Sequence, residues 1–179
     1  MNAETAVPDN ATLARRHMGQ GGHMEGLENW QAAADAYRLA RSANSPDPLV
    51  RYFASNNLGY VLLQMERYEE AAECCREAIS INPEQYNAHK NLGLAFQGQG
   101  LWIDAAWCLL EATRLCPGDA RAWQLLNHLL AARPGLLDQD GELRLSYTTL
   151  REVLAKEGYL QAPVPKSPVF RPPMILPLQ

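Results

Sequence analysis

Small and apolar residues recur along most of this chain at steps of three and four, the spacing that lines up one face of a helix. From Tyr52, in YFASNNLGYVLLQMERYEEAAECCREAISINPEQ, such steps run through Leu58-Gly59 and Leu62. They resume after a short break through Tyr68, Ala71-Ala72, Cys75 and Ala78. Two helices joined by a turn are predicted. Pro83 closes the second, because proline cannot continue the hydrogen-bond ladder. Strands are poorly supported: Val and Ile are scarce, while the helix formers Ala, Leu, Glu, Gln and Arg abound.

The pattern returns without a gap 34 residues later, from Tyr86, in YNAHKNLGLAFQGQGLWIDAAWCLLEATRLCPGD. Asn91 matches Asn57, Leu92-Gly93 match Leu58-Gly59, and Phe96 matches Leu62. Trp102 matches Tyr68, Ala105-Ala106 match Ala71-Ala72, Leu109 matches Cys75, Ala112 matches Ala78, and Pro117 matches Pro83. With each unit counted from its first residue, the small residues at positions 8 and 20 let two antiparallel helices approach closely. Larger ones at positions 11, 17 and 24 fill the space beside that contact. One helix pair cannot cover its own apolar face, so successive pairs must stack into a solenoid.

A weaker copy covers residues 14–47, with Gly21, Met24, Trp30, Ala33-Ala34, Tyr37 and Ala40 at the matching positions. Its closing proline is displaced to Pro46, and extra residues follow before Tyr52. Gly19, Gly21, Gly22 and Gly26 fall in its first helix. Each costs about 1 kcal/mol against alanine there, so that helix is expected to be short, kinked or frayed. A fourth copy begins at Ala120, keeps Trp123, Leu126 and Leu130, and loses the pattern at Arg133-Pro134-Gly135. Beyond it one or two more turns and a helix are expected. Ser146 is its N-cap, Gly158 its stop, and Leu150, Val153 and Leu154 its apolar stripe.

These units resemble the tetratricopeptide-repeat family, whose 34-residue helix–turn–helix pattern they follow. The resemblance implies an all-α fold, a right-handed α-solenoid of antiparallel helix pairs with about three units and a helical C-terminal cap. The expected organisation is a tail over 1–13 and a repeat domain over 14–133. Its units span 14–47, 52–85, 86–119 and a partial 120–133. A capping segment covers 134–160, and a proline-rich tail 161–179.

Function follows from the same resemblance. The first helix of each unit would line a concave groove, with positions 2, 5, 6, 9, 12 and 13 facing the ligand. Carried onto this chain, those positions give Phe53, Asn56, Asn57, Tyr60, Leu63 and Gln64. The next unit gives Asn87, Lys90, Asn91, Leu94 and Gln97, and the incomplete fourth gives Arg121, Gln124 and His128. Asn57 and Asn91 hold the same place one repeat apart. A side-chain amide offers both the donor and the acceptor that a peptide unit presents in return. The family's carboxylate clamp is not matched. Met18 and Gly22 stand where its first lysine and asparagine would fall, and Asn87 and Asn91 where its closing lysine and arginine would.

Composition narrows the function further. Net charge is −4, so there is no basic excess to neutralise phosphates, and nucleic acid is not an expected partner. No apolar run approaches the length of a membrane span, and the N-terminus lacks the layout of a signal peptide; a cytoplasmic location is expected. Cys74, Cys75, Cys108 and Cys116 form no CxxC pair and are expected to be reduced. Cys74 and Cys108 share position 23 in successive units but lack the partners of a tetrahedral zinc set. His17, His23, His89 and His128 are read as packed or surface residues. No nucleophile elbow, phosphate loop or HExxH is present, so neither catalysis nor a cofactor is expected. The acidic run around Glu69, Glu70, Glu73 and Glu77 reads as a solvated face.

The expected role is therefore a non-catalytic interaction module that holds an extended peptide, as an adaptor or scaffold. A secretion-type chaperone for an apolar export substrate is one alternative. The other is a self-assembly module working through the tail, QAPVPKSPVFRPPMILPLQ. That tail mixes prolines, which favour an extended path, with the apolar Val169-Phe170 and Met174-Ile175-Leu176.

Overall fold

The structure, a computed structural model, describes residues 9–161. The proline-rich tail beyond Gln161 lies outside the described residues, as does most of the expected N-terminal tail. Among the described residues every regular element is helical. Three hairpins come first: α1 (Asn10–Gly26) with α2 (Trp30–Ser42), α3 (Pro48–Gln64) with α4 (Tyr68–Ile81), and α5 (Tyr86–Gly98) with α6 (Trp102–Leu115). They are followed by α7 (Ala120–Ala132), a single turn α8 (Leu136–Gln139), α9 (Gly141–Lys156) and a 3-10 turn over Tyr159–Gln161.

Glycine at position 8 sets the closeness of each hairpin. A Cβ on Gly21 would lie 2.6 Å from the Tyr37 ring, one on Gly59 2.7 Å from Cys75 Sγ, and one on Gly93 2.9 Å from Leu109 Cγ. Those partners all occupy position 24 and are all buried. The alanines at positions 20 and 21 of the three units are likewise buried. Backbones can therefore meet while residues of different size fill the gap beside them. Position 15 carries the turn. Glu28, Glu66 and Gly100 have φ of 55°, 58° and 77°, a left-handed conformation that two of the three adopt with a side chain.

Contacts between hairpins are uneven. Among the first helices α1 touches α3 and α3 touches α5, whereas the second helices α2, α4 and α6 make little or no contact with one another. A stack whose first helices crowd together while its second helices fan apart curves toward the first helices. That side carries the candidate groove.

Several expectations are corrected. The first helix is neither short nor broken. It runs for 17 residues from Asn10, earlier than the expected start at 14, because Asp9 Oδ1 accepts the Thr12 amide at 2.7 Å and caps it. Packing against α2 and α3 outweighs its four glycines. The extra residues before Tyr52 extend the helix that follows them. Asp47 caps a helix that starts at Pro48, so α3 has 17 residues against 13 in α5, one additional turn. The last helix is capped by Asp140, which accepts the amides of Glu142 and Leu143, and not by Ser146. Its inner stripe is Leu143, Tyr147, Leu150 and Leu154; Val153 is 42% exposed. Gly158, with φ 82°, does follow its end.

Candidate functional site

α3 lies between α1 and α5 and is covered by α4 behind, so ten of its residues are buried. From Phe53 onward, the residues of α3 that escape burial are Phe53, Asn57, Tyr60 and Gln64. Their spacing of four, three and four places them in one line along the helix. The additional N-terminal turn prolongs that line by Leu49, which is 49% exposed and which the family positions did not include. An apolar and amide stripe thus runs the length of the central first helix, and apart from Pro48 and Arg51 in its first turn the rest of that helix is enclosed.

The asparagines do more than face outward. Asn91 Nδ2 donates to Asn56 Oδ1 at 3.2 Å across the α3–α5 seam, and Asn56 Nδ2 donates to Asn57 Oδ1 at 3.1 Å. On its far side Asn57 lies beside the Tyr37 hydroxyl, which donates to Glu25 Oε2 at 2.9 Å. Burial, and then the Glu25 carboxylate, push the Tyr37 phenol well above its usual range, so it remains a donor. A row of polar groups therefore links α1, α2, α3 and α5. Asn56 and Asn91 are buried inside it, and Asn57 is its half-exposed member.

The remaining sequence-derived positions divide by helix. On α5, Asn91, Leu94 and Gln97 are buried, as is Leu63 on α3. Asn87 and Lys90 are half-buried, and the Lys90 amine donates to Asn87 Oδ1 at 3.2 Å. On α7, Gln124 and His128 are exposed. Arg121 is held by both oxygens of Asp119 and donates to the Tyr86 hydroxyl at 3.1 Å. The sequence-derived positions of α5 are thus buried or half-buried, whereas α3 and α7 keep exposed ones. Repeat positions give the side of each helix. They do not show which side chains pair with one another, because pairing depends on how neighbouring units meet.

Bare surface also distinguishes α1. A Cβ added to Gly19 or Gly26 would meet nothing within 4 Å, and one on Gly22 only the Tyr37 hydroxyl at 3.8 Å. These glycines fall at positions 6, 13 and 9, so the α1 side of the groove is largely backbone. No helix among the described residues is long and apolar enough to cross a membrane.

A curved row of helical hairpins with a polar and apolar stripe on its inner helices defines the class: an α-solenoid. Residues 52–85 match the tetratricopeptide-repeat family model. Solved structures agree. The TPR domain of OM64 from Arabidopsis superposes with a TM-score of 0.63 at 19% identity, covering 69% of this chain and 98% of that one. The first TPR domain of Spaghetti (RPAP3), bound to an HSP90 peptide, gives 0.62 at 17%, covering 68% and 94%. YrrB, described as a TPR protein with an unusual peptide-binding site, gives 0.57 at 21%, covering 81% and 73%. A search of curated proteins found no match.

Proposed function

We propose that this chain is a non-catalytic adaptor that holds an extended segment of a partner protein against the stripe of α3. The observation that carries the reading is the line Leu49, Phe53, Asn57, Tyr60 and Gln64, left uncovered on a helix that is otherwise enclosed beyond its first turn. Apolar side chains of a partner have Leu49, Phe53 and Tyr60 to pack on, and its peptide units have the amide of Asn57 to pair with. Anchoring by its neighbours holds the Asn57 amide in one orientation, which lowers the ordering cost of binding. Two of the structurally similar proteins are described as peptide-binding, which supports the same use of the fold.

The test is Asn57→Ala combined with Phe53→Ala, compared with wild type in a pull-down and by calorimetry on any species recovered. Asn91 is left intact, since removing it would strip a buried hydrogen bond from Asn56. Species lost in the variant, with the melting temperature retained, are groove ligands. Undiminished capture of every species overturns the reading.

A further inference from the structure

The seam between the first two hairpins departs from the one after it in three ways. Position 28 is Arg41 at the end of α2, where the next hairpin has Ile79. Ile79 packs with Tyr52, Ala78 and Ala88 in a small apolar cluster. Arg41 instead pairs with Glu77 of α4 and donates to Cys74 Sγ at 3.5 Å, and its Nε is buried without a partner. Position 4 is Ser55, where the next two units carry the larger His89 and Trp123. His89 is tied down there, donating from Nε2 to the Pro83 carbonyl at 2.8 Å. Ser55 is 1% exposed and its hydroxyl forms no hydrogen bond among the described residues. Finally, the additional turn of α3 supplies Arg51, at a place where α5 has not yet begun. Together these changes open a cavity of about 520 Å³ bordered by Arg41, Asn44, Arg51, Ser55, Glu77 and Ser80. It lies away from the groove, since Ser55 is two residues from Phe53 and so about 200° around the helix from the exposed stripe.

We propose that this cavity is a second binding site, which takes a phosphate monoester with Arg51 as its principal contact. Arg41 is matched by Glu77, whereas Arg51 enters no ion pair among the described residues, so the lining has one positive charge in excess. Arg51 offers a guanidinium fork, Ser55 a hydroxyl and Asn44 an amide, and Arg41 has an Nε–H that lacks an acceptor. These donors come from the end of α2, the loop after it and α3. A carboxylate presents two oxygens in one plane, while a phosphate presents three around a tetrahedron and accepts from several directions at once. The spread of donors therefore favours phosphate. Glu77 repels an anion on the α4 side, which seats the phosphate against Arg51. The cavity is larger than a phosphate group alone and has room for a body the size of a sugar or an amino acid. Pro48 and Ile81 at its border give that body an apolar surface.

The experiment is calorimetric titration of the full chain, at constant ionic strength, with glucose 6-phosphate, O-phosphoserine and a short peptide containing phosphoserine. Glucose, serine and succinate are the controls. Saturable binding of the esters is expected, with none for glucose or serine and much weaker binding for succinate. Arg51→Gln should weaken ester binding about tenfold or more, through loss of charge-assisted hydrogen bonds. Arg51 is exposed, so this variant should keep the wild-type melting temperature, which separates loss of the site from loss of the fold. Tighter binding of the peptide than of O-phosphoserine assigns the phosphate to a modified protein segment. Equal or weaker binding of the peptide assigns it to a free metabolite. The variant with both Phe53→Ala and Asn57→Ala should bind the esters as wild type does, and weakening there would place them in the groove and overturn the assignment. The proposal is also overturned if no ester binds at millimolar concentration, if Arg51→Gln binds as wild type does, or if succinate binds as tightly as the esters.

Discussion

Gly19 and Gly21 sit two residues apart on α1 and answer to different needs. Gly21 faces the fully buried Tyr37 ring, and a Cβ there would intrude to 2.6 Å. Gly19 faces open space. Gly21→Ala should therefore destabilise the fold by about 1–3 kcal/mol, as overpacking does. Gly19→Ala should stabilise it by up to about 1 kcal/mol through helix propensity. Denaturant midpoints of the two variants check both, and the same sign of change in both would contradict the packing described for α1. The strain at position 15 is of another kind. Glu28 and Glu66 take left-handed backbone where the third unit uses Gly100. Nothing in a single sequence distinguishes those glutamates from ordinary surface residues, and the repeat comparison alone places them opposite a glycine.

At the scale of elements, α7 and α9 close the stack. Trp123 stacks on Tyr147 with ring centroids 5.2 Å apart, the Tyr147 hydroxyl donates to Asn127, and Trp107 Nε1 donates to Asp140 at 2.9 Å. The start of α7 is tied by Asp119, which accepts the Arg121 amide as N-cap and also pairs with the Arg121 side chain. The Arg121 hydrogen bonds hold this carboxyl far below the usual 3.8. A group with a lower pKa in the folded chain stabilises it only while ionised. Its contribution is complete above about pH 4 and drains away as pH falls below that. Asp119→Asn should accordingly lower the melting temperature at pH 7, with a difference from wild type that shrinks on acidification below pH 4. A constant difference across that range would show that Asp119 acts as a cap and not through its charge.

The hairpins are legible in the sequence because positions 8, 20 and 24 report a steric contact that repeats in every unit. Legibility falls wherever units differ. Sequence alone does not single out the Asp9 and Asp140 caps, since an aspartate before a helix looks like any other surface acid. Ser146 has the residue type of an N-cap, yet Leu143 ahead of it already belongs to the buried stripe. On the site, family positions identify Phe53, Asn57, Tyr60 and Gln64. The burial of Asn56, Asn91 and Leu94 is invisible to them, because it follows from how α3 and α5 pack across their seam.

For the whole molecule, each hairpin leans on its neighbours and stability is correspondingly local. α3 to α6 have covered flanks, while α1 ends the row and bears the unshielded Gly19, Gly22 and Gly26. Native-state hydrogen exchange should find the slowest amides in α3 to α6 and faster exchange along α1. Uniform protection from α1 to α6 would instead mean that the stack opens only as one unit.

The additional turn at the start of α3 bears on how such a stack tolerates change. Four residues come close to a full revolution of a helix, so Leu49 projects in nearly the same direction as Phe53. The insertion therefore leaves the angular phase of later hairpins intact and lengthens one wall by about 6 Å, the rise of four helical residues. A fully extended chain advances about 3.3 Å per residue, so the added rung lets the cradle reach between one and two residues more of whatever lies in it. An insertion of two residues would have turned the new side chains about 200° away. Reach in this scaffold can thus grow in whole revolutions, without re-aiming anything downstream.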